Sequence, residues 1–161
     1  MAADVDGPAW RLEERAWDDP AGAALREAQR AELDAFYRCS EHEPGGPPSG
    51  EDIDVFLLAV DPMDGAGLAC GALRRLEPGA AEIKRMYAVP DRRGSGVATA
   101  VLRALESAAR DRGWTCLRLE TGTDMGWARR FYQREGYREI PRYGVYTGSD
   151  LSTCYERSLP S

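Results

Sequence analysis

The chain has 161 residues, 43% hydrophobic and 30% charged, with 27 acidic side chains against 21 basic ones and a net charge of -6. That balance suits one domain over 1–161 with a filled core, and it excludes a chain disordered throughout. The acidic surplus excludes a uniformly basic nucleic-acid surface and favours a cationic small molecule such as an amine.

In chain order, Ala9 to Trp17 carries Trp10, Leu12 and Ala16 at alternate positions and predicts a first strand. Asp19-Pro20 reads as a helix N-cap followed by proline at the first helical position, and Leu25, Ala28, Leu33, Phe36 and Tyr37 give that helix an apolar stripe. From Cys39 to Asp52 the composition turns to glycine, proline and acid, so a loop is expected at 40–52, either a substrate lid or slack. Ile53–Val60, Leu68–Leu76 and Ala81–Val89, separated by the turns at Asp61–Gly65 and Glu77–Gly79, predict an antiparallel meander. Val97, Val101, Leu105 and Ala108 fall at helical spacing, with Gly113 at the end. A strand at Cys116–Glu120, a short helix at Trp127–Glu135 and strands at Tyr137–Ile140 and Thr153–Leu159 complete the order β-α-βββ-α-β-α-ββ. This is an α/β fold with a mixed, mostly antiparallel central sheet flanked by helices.

The longest unbroken apolar run, Val55 to Val60, is far too short to cross a bilayer, and the acidic segment Met1 to Asp6 does not show the basic-then-apolar pattern of a secretory signal, so export by the general route is not expected. A cytoplasmic location with no membrane partner is therefore expected. Cys39, Cys70, Cys116 and Cys154 are widely spaced and His42 is the only histidine, so no metal-ligand spacing is present and no metal is expected. Buried, unreactive cysteines are the expectation.

The informative segment is Val89-Pro-Asp-Arg-Arg-Gly-Ser-Gly-Val-Ala98, which follows a strand and opens a helix. Gly94 and Gly96 permit a tight turn in which successive N–H groups converge, while the helix terminus, Arg92 and Arg93 add positive charge. Such a turn is expected to be a pyrophosphate cradle; the alternative is a glycine-bearing strand-to-helix turn with no ligand. A dinucleotide-binding fold is disfavoured, because Thr99 stands where a third glycine or alanine belongs and the preceding strands form a meander.

Arg93-Gly-Ser-Gly96-Val-Ala98 resembles the Arg/Gln-x-x-Gly-x-Gly/Ala motif of the GNAT N-acetyltransferases. The resemblance extends to Ala81–Pro90 before the motif, to Leu117–Gly122 and Ala128–Tyr137 after it, and to Tyr146–Tyr155, which is similar to the tail of a bacterial branch. It spans about residues 53 to 159 in the family's order. It implies acetyl-CoA as co-substrate, direct transfer to a small amine in a ternary complex, and a homodimer, where one forms, paired through the C-terminal strands.

The resemblance further implies that Met86, Tyr87 and Ala88 pair with the pantetheine arm as an added strand, with a main-chain N–H of Met86 or Ala88 polarising the acetyl carbonyl. Arg92, Arg93, Gly94, Ser95, Gly96, Val97, Ala98 and Thr99 would hold the pyrophosphate, with Phe131 and Tyr132 as further cofactor contacts. Tyr132 stands at the family's general-acid position; the alternative is a tyrosine packed in the core with its hydroxyl satisfied. Glu82 is a candidate general base, on the reading that period-two alternation puts it on one face with Lys84, Met86 and Ala88; its rival role is a carboxylate paired with Lys84 or Arg85. Glu120 is a second candidate. Tyr37, Tyr143 and Tyr146 are open to pocket or core roles, and Gly122, Thr123 and Asp124 replace the family's frequent asparagine after the fifth strand. The alternative function is a non-catalytic acyl-CoA-binding or sensing module.

Overall fold

Asp19 starts the first helix as its sequence predicts: its side chain accepts from the Gly22 N–H at 3.1 Å, with Pro20 at the first helical position. The structure, a computed structural model, describes residues 9–38 and 44–160. Among them run β1 (Arg11–Glu14), α1 (Pro20–Tyr37), β2 (Val55–Val60), β3 (Gly67–Glu77), β4 (Ala80–Ala88), α2 (Val97–Asp111), β5 (Cys116–Gly122), α3 (Gly126–Arg134), β6 (Arg138–Ile140) and β7 (Ser152–Ser158). The strands form a seven-stranded sheet in the order β1-β2-β3-β4-β5-β7-β6. Every neighbouring pair is antiparallel except β4 and β5. The element order and the mostly antiparallel sheet agree with the reading of the sequence.

Two apolar layers clamp the sheet. On one face Val97, Val101, Leu102, Leu105 and Ala109 of α2 meet Val55, Leu57, Leu73, Ala81, Ile83, Leu117 and Leu119. On the other, Leu25 of α1 meets Phe56, Leu58, Val60, Cys70 and Ala72. Each fully buried leucine stabilises the fold by about 2 kcal/mol. Strand β2 is buried along its whole length because both layers press on it, which is why it reads as an unbroken apolar run.

A β-bulge in β4 was not foreseen. Cys70 pairs with Tyr87 and Ala72 with Lys84, so Gly71 alone stands opposite both Arg85 and Met86. Arg85 adopts a φ of 58°, a left-handed conformation rare for arginine. The bulge turns Met86 toward α2, and the missing side chain at Gly71 makes the room: a Cβ there would lie 2.5 Å from the Met86 sulfur. Beyond the bulge the alternation is reset. Met86 and Ala88 lean on the α2 layer, while Tyr87 and Val89 lean on the α1 layer.

Candidate active site

Strands β4 and β5 are paired only at Ala80–Cys116, Ala81–Leu117 and Glu82–Arg118. Both continue past that point, and the sheet opens between them. Tyr87 pairs with Cys70, and the Val89 N–H donates to the Leu68 carbonyl at 2.9 Å, so Tyr87 and Val89 face β3 and the main-chain groups of Met86 and Ala88 face the opening. The opening leads into a cavity of about 1070 Å³ reached by α1, β4, β5, α3 and the turn before α2. Of the two gap-facing carbonyls, Met86 accepts from the Gln29 amide at 2.9 Å and Ala88 from the Arg93 Nε at 3.1 Å.

At one end lies the glycine turn. Gly94 and Gly96 have φ of 83° and 92°, which bends the chain into α2. The Arg93 and Ser95 amides are already spent on the carbonyls of Pro90 and Arg92, at 3.3 and 3.2 Å. The amides of Gly94, Gly96, Ala98 and Thr99 have no hydrogen-bond partner among the described residues. These are orphan donors at a helix N-terminus, the arrangement that accepts an anion.

Arg92, Arg93, Gly94, Gly96, Ala98 and Thr99 line the cavity, whereas Ser95 and Val97 do not. The structure gives the groups of both residues other partners. The Ser95 hydroxyl donates to the Arg92 carbonyl and accepts from the Val97 N–H, and the Val97 side chain is buried in the core. Arg92 is paired with Asp61 at 3.5 Å and Arg93 with Glu32 at 2.8 Å. Arg130 and Arg134 of α3 add positive charge to the cavity wall. The sequence reading missed them, although their i,i+4 spacing is a signal for one helix face. Thr99 donates to Glu135 at 2.9 Å, and Arg103 grips the same carboxylate at 2.7 Å, which ties the start of α2 to the end of α3. Free amides, open space and flanking arginines fit a coenzyme A diphosphate.

A methyl group at Gly94 would meet nothing within 4 Å, so Gly94→Ala tests the backbone alone. We expect it to raise the acetyl-CoA Kd about tenfold in titration calorimetry and to cost roughly 1–2 kcal/mol of stability, because alanine resists positive φ.

Tyr132 and Phe131 of α3 also line the cavity. Tyr132 is only 7% exposed, its ring set against Tyr137 and Tyr155 at 5.8 and 6.5 Å between centroids. Its hydroxyl makes no hydrogen bond among the described residues, so the ring belongs to the core and the hydroxyl is not satisfied there. Burial pushes its pKa above the ordinary tyrosine value, which keeps the proton on at neutral pH.

On the α1 side the two carboxylate candidates separate. Glu82 does not share a face with Met86 and Ala88, because the bulge intervenes. It is fully buried and does not line the cavity. Arg74 and the Tyr143 hydroxyl, the latter at 2.6 Å, donate to its oxygens, and Lys84 lies 3.9 Å away. Lys84 also donates to the Tyr146 hydroxyl at 3.0 Å. This is a closed ionic cluster, as in the rival reading, but buried. Glu120 does line the cavity, with Ser152 Oγ donating to it at 2.6 Å. Tyr37 lines the cavity as well, whereas Tyr146 is buried in the core.

Burial pushes the Cys70 thiol up to about 12 and that of Cys116 to about 11, where Glu156 adds to the effect, so neither is a nucleophile at neutral pH. Cys39, His42 and most of the expected lid's first part lie outside the described residues. Among those described, no group of three or more His, Cys, Asp or Glu side chains could hold a metal.

A parallel strand pair that opens beside a helix-terminal anion cradle, with Tyr132 on the shared cavity, is a geometry that an acyl-CoA thioester fits. The chain belongs to the GNAT acetyltransferase family, whose sequence profile matches residues 11–137. It is similar to the uncharacterised N-acetyltransferase YedL of Escherichia coli K12, 33% identical over 143 residues that cover 80% of this chain and 90% of that one. An IAA acetyltransferase of Azospirillum brasilense is 32% identical over 105 residues, 65% of this chain and 67% of that one. A solved candidate acyl-CoA N-acyltransferase from Klebsiella pneumoniae superposes with a TM-score of 0.76 at 32% identity, covering 93% of this chain and 97% of that one. The protein is an acetyl-CoA-dependent N-acetyltransferase.

Proposed function

We propose that the chain works as one catalytic domain over 1–161 and acetylates a small-molecule amine by direct attack within a ternary complex. Bound acetyl-CoA supplies an acyl carbon activated by its thioester and a thiolate leaving group. Main-chain amides of Gly94, Gly96, Ala98 and Thr99 hold its diphosphate, and Met86 and Ala88 meet the pantetheine arm. A Met86 or Ala88 N–H, facing the opening, stabilises charge on the acetyl oxygen. Glu120 takes a proton from the incoming ammonium, since only the neutral amine is nucleophilic. As the nitrogen–carbon bond forms and the carbon–sulfur bond breaks, Tyr132 gives its proton to the departing sulfur and its phenolate recovers one from the acetylated nitrogen. Glu82 is left to hold Arg74, Lys84 and Tyr143 together beneath the site. We place the reaction in the cytoplasm, with neither nucleic acid nor membrane as partner.

The observation that carries this reading is the cavity joining free helix-terminal amides to the Tyr132 hydroxyl and the Glu120 carboxylate. Thiol release from acetyl-CoA, followed across an amine panel, tests it: amine-dependent release is expected. Tight acetyl-CoA binding in calorimetry with no amine-dependent release would support the sensing module instead.

A further inference from the structure

We propose that the acceptor is a primary amine carried on a flat apolar body, its nitrogen held between the Tyr37 hydroxyl and the Glu120 carboxylate and its body against Trp127, which Phe36 supports edge to face. The inference rests on the acyl-transfer reading above and names the substrate class for it.

The first observation is an interlock between the ends of two distant elements. Tyr37 is the last residue of α1 and Gly122 the last of β5. A Cβ at position 122 would collide with the Tyr37 hydroxyl, and it would lie 3.2 Å from both the Tyr37 Cζ and the Met125 Cγ. The absent side chain at 122 therefore admits the hydroxyl to the opening. Strand alternation puts Glu120 on the same face of β5 as Gly122, so hydroxyl and carboxylate are neighbours. Burial, together with the negative charges of Glu120 and Asp124, raises the Tyr37 pKa, so the hydroxyl stays protonated in surroundings that favour a cation.

The second observation is apolar. Phe36 is 44% exposed and Trp127 is 48% exposed, yet their rings stand edge to face at 5.4 Å, and Phe36 meets Tyr37 in the same way at 4.9 Å. Trp127, the second residue of α3, lines the cavity, and Phe36, next to last in α1, backs it from outside the lining. Leu33 and Met125 extend the same lining. Exposed aromatic surface at the rim of a cavity finds its partner in a flat ligand.

Charge narrows the class. An amino acid would bring a second carboxylate beside Glu120 and Asp124, the two groups whose negative charge already bears on the Tyr37 hydroxyl. A linear diamine would satisfy the carboxylates but leave the aromatic wall without a partner.

The test uses the full chain with acetyl-CoA and three probes: 2-phenylethylamine, L-phenylalanine and butane-1,4-diamine. The expected kcat/KM for 2-phenylethylamine exceeds the other two by about tenfold or more, the scale of one hydrogen bond to a charged group. Tyr37→Phe should raise the KM for 2-phenylethylamine about tenfold while the acetyl-CoA Kd stays within about twofold. Gly122→Ala should match that rise alone, but add less than about twofold on top of Tyr37→Phe, because the collision is with the hydroxyl. Equal or better turnover of either rival probe, or an unchanged amine KM in Tyr37→Phe, overturns the proposal. No turnover with any probe overturns it too; acetyl-CoA calorimetry and the wider amine panel then show whether acyl transfer itself still stands.

Discussion

Tyr132→Phe is expected to lower kcat by about a hundredfold to a thousandfold, the usual contribution of a positioned general acid. The ring packs into the core beside Tyr137 and Tyr155, and phenylalanine keeps that ring, so the melting temperature should hardly move. The KM for acetyl-CoA should hold within about twofold, because on the proposed reading the diphosphate is held by main-chain amides rather than by this hydroxyl. The sign of the pH dependence follows from burial. A phenol that loses its proton more reluctantly in the folded chain remains an acid past the ordinary tyrosine value of about 10, so Tyr132 produces no alkaline fall in rate below that pH. For the same reason its contribution to stability is intact below about pH 10 and declines above it, where the unfolded chain releases the proton first. An unchanged kcat in the phenylalanine variant removes Tyr132 as the acid.

Glu120→Gln should lower kcat/KM about a hundredfold at pH 7, again the scale of a lost proton acceptor. The defect should shrink toward pH 10, because an alkyl amine with a pKa near 10 then arrives without the proton that Glu120 would remove. Glu82→Gln is the contrasting variant. Glu82 is fully buried among Arg74, Lys84 and Tyr143, and uncoupling it leaves cations with no counter-charge, so the loss should fall on the melting temperature. A pH-dependent rate defect in Glu82→Gln with an intact fold, and none in Glu120→Gln, would exchange the two roles.

Local signals carried most of the architecture. Asp19-Pro20 announces α1, short turns between three β-rich runs announce the meander, and Gly94 and Gly96 announce a strand-to-helix turn with exposed amides. The resemblance to acetyltransferases singled out Tyr132, and the structure places Tyr132 on the cavity. The face of Glu82 was misjudged for one reason: alternation is a sound rule only in an uninterrupted ladder. Nothing about Arg85 announces a left-handed φ, so the bulge that moves Met86 and Ala88 to the other face left no mark in the sequence. Ser95 reads as a phosphate contact by its place in the motif, yet its hydroxyl is consumed in capping Val97. Strand order was also out of reach. That β7 lies between β5 and β6 depends on pairing across dozens of residues. The meeting of Tyr37 with Gly122 has no local signature either, since each residue taken alone looks ordinary.

The hydrogen bonds from Gln29 and Arg93 to the carbonyls of Met86 and Ala88 have a consequence for the free protein. Where β4 parts from β5, the middle of the sheet acquires an edge, and a bare edge invites any stray extended peptide to add itself. Here such a peptide would have to dislodge two side chains, one of which, Arg93, is itself anchored to α1 through Glu32. The seam is thereby guarded against neighbouring chains, and it yields only to a visitor that brings enough other contacts to replace what it breaks.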